Sequence, residues 1–365
     1  MHQAILVCHR WLALVVSAFL VVVALSGGLL VLEGPIARAH ATHLLPAGSP
    51  LSLDTLAARV RTSAGGGNVL RVVLGDAPDL AWTFVLAMPD EPKAAPRTVD
   101  VNPYTGAILP RPDGVPSAVS FMRNVHLLHT RFLNDAFGRT AVTVVTAIAL
   151  LLVASGLVIW WREKLWRVTT TASWKRINFD LHHSLGVFSA LVLLVVTMTG
   201  LWVHYDSVDD LMHLLDRGPR PGQPVQPAGG PGVMPVSLDS LARAARVAIP
   251  GAAIMNIQVP PAERAPAMVQ MKYSEDHTPA GRSRVYLDKF RGTALLVAST
   301  RTAEPGQHLI DIKRALHTGD IYGLPTQVLW ALACLVLTAQ AITGVLMWWN
   351  ARAARSRSAE RPTPS

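Results

Sequence analysis

Thiols are almost missing from this chain: among 365 residues only Cys8 and Cys334 are cysteines, one in or beside each terminal apolar segment. They are expected toward opposite faces of a membrane, which excludes a disulfide framework and a thiolate metal site. Charge is scarce as well. Only 16% of residues are Asp, Glu, Lys or Arg while 50% are hydrophobic, too few charges for a soluble protein of this length. Dinucleotide and flavin fingerprints are lacking. Glycines 65 to 67 are not followed by Lys-Ser/Thr, so they read as a plain loop and not a phosphate cradle. No catalytic nucleophile or carboxylate pair stands out either.

What the chain does have is four long runs without charge: Trp11 to Leu32, Thr140 to Trp161, Ser184 to Val203 and Tyr322 to Trp349. Each reaches the ~20 residues needed to cross a bilayer. The first exceeds the about 7–15 apolar residues of a signal peptide, although Ala37-Arg38-Ala39 resembles a cleavage site. Lysines and arginines orient the spans. Arg162, Lys164, Arg167, Lys175 and Arg176 crowd the link between the second and third, and Arg352, Arg355, Arg357 and Arg361 the tail. Both are expected in the cytoplasm, with both termini inside and the two long segments outside. The formal charge of +9 is thus largely a topology signal and carries no argument for nucleic acid.

The sequence repeats itself. Ser52-Leu53-Asp54-Thr55-Leu56-Ala57 returns as Ser237-Leu238-Asp239-Ser240-Leu241-Ala242, each the start of a Ser-capped helix. The run Thr98 to Gly106 returns as Arg284 to Gly292, with Asn102 and Asp288 each four residues before a glycine, as an Asx turn between strands requires. Each external segment therefore reads as a helix followed by three or four antiparallel strands. The stretch Arg217 to Pro235, rich in Gly and Pro, reads as a linker. Two halves of the form span, external unit, span are expected to pack as a four-helix bundle about a pseudo-two-fold axis.

Four histidines keep register across this duplication. His9 precedes Gly27 by 18 residues and His182 precedes Gly200 by 18; His129 precedes Gly156 by 27 and His317 precedes Gly344 by 27. The latter two runs end on Trp160-Trp161 and Trp348-Trp349. Histidine is costly in lipid without a partner or cofactor. The symmetry pairs His9 with His182 at the inner face and His129 with His317 at the outer face. An imidazole from each side would close both axial positions of a haem iron, which suits electron transfer. Gly27, Gly156, Gly200 and Gly344 would then let the flat ring approach the backbone, against the plainer reading of close helix packing. Zinc or copper is a poorer fit to one histidine per helix. His126 could replace His129, His183 could replace His182, and His204 could be a third outer ligand or a proton relay. His2, His40, His43, His213, His277 and His308 read as solvated. Arg10, Lys175, Arg176, Arg123, Arg139 and Arg314 could meet haem propionates or simply snorkel.

The segments Cys8-His9-Arg10-Trp11-Leu12, Leu128-His129-Thr130, Leu181-His182-His183-Ser184-Leu185-Gly186 and Leu316-His317-Thr318-Gly319 resemble the PepSY-associated transmembrane proteins. So do Ser26-Gly27, Ser155-Gly156, Thr199-Gly200 and Thr343-Gly344, and the tryptophan pairs. The chain departs from the pattern at Ala13, where a glycine commonly follows the first histidine by four; Gly186 keeps it in the second half. The resemblance implies an iron-regulated bacterial inner-membrane protein, some relatives of which are di-haem reductases of ferric siderophores.

The expected fold is a membrane all-α four-helix bundle with two periplasmic α+β PepSY-like domains, made by internal duplication. Along the chain this places transmembrane helix 1 over 1–32, the first PepSY-like unit over 33–115 and helix 2 with a periplasmic extension over 116–163. A cytoplasmic basic loop over 164–178 and helix 3 over 179–205 follow. The linker with the second unit takes 206–308, helix 4 with its extension 309–350 and the basic tail 351–365. The expected function is electron transfer through two haems b to a periplasmic ferric siderophore or other ferric chelate, with the external units framing the substrate cleft. Lacking a dinucleotide or flavin site of its own, the chain would draw electrons from quinol or a separate reductase. The alternative is a membrane-anchored PepSY protein that binds a periplasmic protease or envelope partner. A chelate transporter fits less well, for want of broken helices with midplane charge.

Overall fold

The structure is a computed structural model that describes residues 2–88, 95–110, 117–134, 137–218, 224, 226, 229 and 233–359. Much of the Gly/Pro linker and the end of the basic tail, with Arg361, lie outside the described residues. The chain divides into two compact units, Met1–Ile36 with Ser117–Val208 and Lys313–Ser365, and Ala37–Pro116 with Asp209–Ile312.

The first unit contains four helices long and apolar enough to cross a membrane. They are α1 (His2–Leu30), α5 (Gly138–Glu163), α6 (Trp174–His204) and α10 (Leu324–Ala359). Neighbours in space run α1, α5, α6, α10 and back to α1. The bundle is apolar outside, and inside it mixes an apolar cluster around Val16, Leu20, Val145 and Ala149 with buried polar side chains. Val15, Phe188 and Leu191 are at least 66% exposed, whereas Ser17, Ser26, Asn178, Asp180, Ser184, Ser189, Thr197 and Thr199 are buried. Lipid, not protein, is the solvent for the outer faces, so polar groups gather where other polar groups can satisfy them.

Helices α1 and α6 begin well before the charge-free runs, and so they include His9 and His182. The charges that bound those runs ride on interfacial turns, where backbone groups are still best satisfied inside a helix. The stretches before the second and fourth spans are separate helices, α4 (Ser117–Arg131) and α9 (Pro305–Thr318). After α4 the backbone turns through two left-handed residues, Phe132 at φ 44° and Leu133 at φ 62°; after α9 a glycine takes that conformation, Gly319 at φ 79°. The Gly319 corner is tied by Thr318 Oγ1 donating to Asp320 (2.7 Å) and Gln327 Nε2 to the same carboxylate (2.6 Å).

The second unit holds α3 (Leu53–Ala64) and β1 to β4 (Asn68–Val73, Trp82–Ala87, Arg97–Val101, Ile108–Leu109). The same order returns in α8 (Leu238–Ala248) and β5 to β8 (Ala253–Gln258, Ala267–Lys272, Ser283–Leu287, Ala294–Ala298). Local signals act as read. Ser52 Oγ accepts from Thr55 N and Ser237 Oγ from Ser240 N. Asn102 Oδ1 accepts from Tyr104 N at 2.9 Å, and Asp288 Oδ1 from Phe290 N at 2.8 Å.

The two α+β segments do not stand apart. Strand β1 pairs with β5 in the register Arg71–Gln258, Val72–Ile257, Val73–Asn256, giving one eight-stranded antiparallel sheet, β4-β3-β2-β1-β5-β6-β7-β8. Its alternate side chains form a single core with both helices, including Phe84, Leu86, Ile257, Met271 and Leu287 beneath Leu56 and Leu241. Each such side chain contributes about 1.5–3 kcal/mol of burial. The helices also cap each other. Asp239 accepts from Leu53 N (2.9 Å) and Asp54 N (3.1 Å), while Asp54 accepts from Leu238 N (2.9 Å). Carboxylates at helix N-termini satisfy orphan N–H groups and favour the helix dipole; here each serves the other half's helix.

Two histidines expected to be solvated have carboxylate partners, His43 Nδ1 with Asp79 (2.9 Å) and His213 Nδ1 with Asp216 (2.6 Å). His40 and His277 are engaged as well. The first pair joins loops that no local spacing links, whereas His213 and Asp216 stand three residues apart.

Candidate functional site

The four in-register histidines sit against the four in-register glycines, each across a helix seam. His129 on α4 lies against Gly27 on α1, and His317 on α9 against Gly200 on α6. His9 on α1 lies against Gly156 on α5, and His182 on α6 against Gly344 on α10. A Cβ on Gly27 or Gly200 would stand 2.8 or 3.0 Å from the imidazole Cε1; on Gly156 or Gly344 it would stand 3.5 or 3.4 Å away. The glycines therefore make room for the imidazoles themselves. Gly28, the next residue after Gly27, serves close helix packing: a Cβ there would lie 3.3 Å from Cys334 Cβ.

The residue before each glycine completes the motif. His9 Nδ1 is 2.8 Å from Ser155 Oγ, and His182 Nδ1 is 2.9 Å from Thr343 Oγ1. Both hydroxyls already donate to their own helix, Ser155 to Leu151 O and Thr343 to Ala339 O, each at 2.7 Å. With its proton spent, each hydroxyl must accept, so the imidazole Nδ1 is the donor. His129 and His317 reach the same state by a different partner: Nδ1 donates to the carbonyls of Val23 (3.0 Å) and Val196 (3.1 Å). Ser26 and Thr199 stand beside them at 3.4 and 3.3 Å. The hydrogen-bond network thus assigns all four imidazoles to the Nδ1–H tautomer. Each leaves the Nε2 lone pair without a protein partner among the described residues.

His129 and His317 come together, their ring centroids 6.2 Å apart and the planes inclined by 32°. Burial pushes both imidazoles down in pKa, His317 to about 4, so they are neutral at physiological pH. His9 and His182 lie within electrostatic reach of each other. The alternates point elsewhere. His126 Nδ1 is 3.5 Å from Glu33. His183 donates to Phe179 O and stacks on Phe179 at 4.1 Å. His204 neighbours Tyr205, Arg131 and Arg139.

Around His9 and His182 lie polar groups that spacing alone does not reveal. Gln340 Nε2 donates to His182 O at 2.7 Å, in a space left by Gly186, whose Cβ would lie 3.2 Å from that nitrogen. At the matching positions of the other half stand Leu152 and Ala13. The loss of glycine at Ala13 thus goes with the loss of the amide that needs it. Asp180, fully buried, accepts from Thr169 N and lies 2.8 Å from Arg176 Nε, and Asn178 Nδ2 donates to Thr343 O. Next to His9, Arg10 has a buried Nε with no hydrogen-bond partner.

Among the described residues no three His, Cys, Asp or Glu side chains converge on one point. Two imidazoles per site can hold only a metal whose other ligands come from elsewhere.

Four apolar helices lined inside by such histidine–hydroxyl–glycine seams, with an eight-stranded sheet unit in the same chain, define a membrane protein that carries a separate antiparallel sheet unit. The chain belongs to the family described as the PepSY-associated TM region, whose model matches residues 6–351. No curated protein matches the sequence.

Proposed function

We propose that this chain is a di-haem b electron carrier of the bacterial inner membrane that reduces a ferric chelate of the siderophore class on the periplasmic side. The carrying observation is the set of four imidazoles, each oriented through Nδ1–H and each offering Nε2. Orientation of a metal-binding histidine by its second nitrogen is the usual support for a ligand. The spacing of the outer pair fits as well. Two imidazoles bound through Nε2 to one metal at about 2 Å each have centroids roughly 6 Å apart, and His129 and His317 stand at 6.2 Å. Arg10, with its orphaned Nε beside His9, has the donor a propionate would accept from.

His9 with His182 would hold one haem and His129 with His317 the other. When bound, such a group would supply a one-electron iron couple. The protein's own part is to hold the rings, keep them neutral and exclude water. Charge bias supports a cytoplasmic side for the 164–178 link, the tail and both termini. On that topology the His129/His317 site faces the periplasm, and the sheet unit is periplasmic. One electron converts a ferric chelate to Fe(II), for which hard oxygen donors hold less tightly, and the metal is released outside the cytoplasm.

The test uses purified protein in lipid nanodiscs, reduced without oxygen and mixed with a ferric hydroxamate or catecholate and a chromogenic Fe(II) trap. The expected result is Fe(II) capture matched by reoxidation of the protein. Reduced protein that delivers no electron to either chelate contradicts the reading.

A further inference from the structure

A cleft of about 460 Å³ opens on the surface of the bundle between α1 and α5, lined by His2, Ile5, Leu157, Val158, Trp161 and Arg162. We infer that it binds a membrane quinol, the electron donor; this rests on the function proposed above, and it names the partner that supplies the His9/His182 site.

Position is the first argument. His2, Ile5 and His9 fall at i, i+3 and i+7, one stripe of α1. On the facing helix Leu157 directly follows Gly156, against which the His9 ring rests, and Ser155 holds that ring by its Nδ1–H. The cleft is thus the continuation of the seam that carries His9. Ile5 is four residues, about 6 Å of helix rise, from that histidine.

Chemistry is the second. The walls are aliphatic and aromatic, with a polar imidazole and guanidinium at one end. A mostly apolar cleft of this size with a few polar groups suits a small, flat, lipid-soluble molecule carrying two oxygen functions. The spanning helices face lipid, so such a molecule enters from the bilayer. The Arg162 guanidinium has only N–H donors, which suits a quinone oxygen; the His2 imidazole has an acceptor nitrogen as well, for a quinol hydroxyl. Oxidation of one quinol breaks two O–H bonds and releases two electrons and two protons. Two one-electron groups held by the histidine pairs would take up the two electrons, and the protons would pass by His2 to water. A phospholipid chain is the competing occupant, but it would give the cleft no reason to adjoin His9.

The test is photolabelling of the full chain in nanodiscs with an azido-quinone, mapped by peptide mass spectrometry, beside anaerobic reduction by a short-chain quinol. Label is expected on the peptides holding residues 2–5 and 157–162, competed by unlabelled quinone. Filling the cleft with Leu157→Trp should lower label and quinol-driven reduction at least about tenfold, with dithionite reduction complete. His2→Gln, at a helix end where misfolding is not at issue, should slow quinol-driven reduction about tenfold while label persists. Label elsewhere, or label displaced by phospholipid and not by quinone, overturns the site. A chain without haem that still labels here defeats the proposed function and leaves the cleft assignment standing.

Discussion

The two histidine pairs reach one chemical state by different means. His129 and His317 are carried on α4 and α9, which precede spanning helices, and rest on backbone carbonyls of Val23 and Val196. His9 and His182 are carried on spanning helices and rest on the hydroxyls of Ser155 and Thr343. The glycines are tight against the first pair and at ordinary contact distance from the second. A carbonyl cannot be removed by a side-chain substitution, whereas a hydroxyl can. The first pair is therefore fixed by fold and the second by side chains, and the two should respond differently to the same changes.

The largest effect is expected from replacing the four histidines. His129→Ala or His317→Ala should remove one haem of two and leave the other spectrum intact; His9→Ala or His182→Ala should remove the complementary one. Haem counted per chain with a spectrum for each variant checks this, and one variant that empties both sites would break the comparison.

Glycine substitutions sharpen it. Gly27→Ala and Gly200→Ala place a methyl within 2.8 and 3.0 Å of an imidazole and should displace it, losing most of the haem at that site. Gly156→Ala and Gly344→Ala meet 3.5 and 3.4 Å contacts and should keep theirs. Equal losses would mean that the tight and loose seams do not differ in function.

Hydroxyl deletion should invert the pattern. Ser155→Ala or Thr343→Val removes the hydroxyl that accepts from its histidine and should weaken haem binding about 10–100-fold, the usual cost of losing such support. Ser26→Ala and Thr199→Val leave the Val23 and Val196 carbonyls in place and should change affinity by less than about threefold. Haem titration of the stripped protein reads all four.

The halves also differ in small energies. Phe132 and Leu133 hold left-handed conformations that Gly319 adopts at no steric cost. Leu133→Gly should therefore raise stability by up to about 1 kcal/mol, seen as a higher melting temperature; a lower one would show that the Leu133 side chain is needed. On α9, burial raises the Asp311 carboxyl pKa, with Gln307 Nε2 donating to it at 3.0 Å. A raised folded pKa means that ionisation opposes folding above the ordinary carboxylate range and the penalty fades as pH falls. Asp311→Asn should raise the melting temperature at neutral pH, and the gain should vanish in acid.

Much of this was legible in the sequence because its signals are local. Ser52, Ser237, Asn102 and Asp288 act within three residues, and four apolar runs announce four spans. The histidine–glycine registers were legible because the repeat fixes them. The pairing of β1 with β5 was not. It joins Arg71 to Gln258 across about half of the chain, and neither strand carries a local sign of which edge it meets. The exchange of caps between Asp54 and Asp239 hid for the same reason. The hydroxyl partners were in plain view as four Ser/Thr-Gly dipeptides, but without a third dimension they marked only kinship. Gln340 gave a weaker sign, an amide among apolar residues opposite a glycine whose counterpart is Ala13.

The most direct test is a dithionite-reduced minus oxidised absorption spectrum of the purified protein, expressed with ample haem, with haem counted per chain. Two low-spin b-type haems, falling to one in His317→Ala, are the expected result. A chain that binds no haem, or binds the same amount after all four histidines are replaced, would contradict the account.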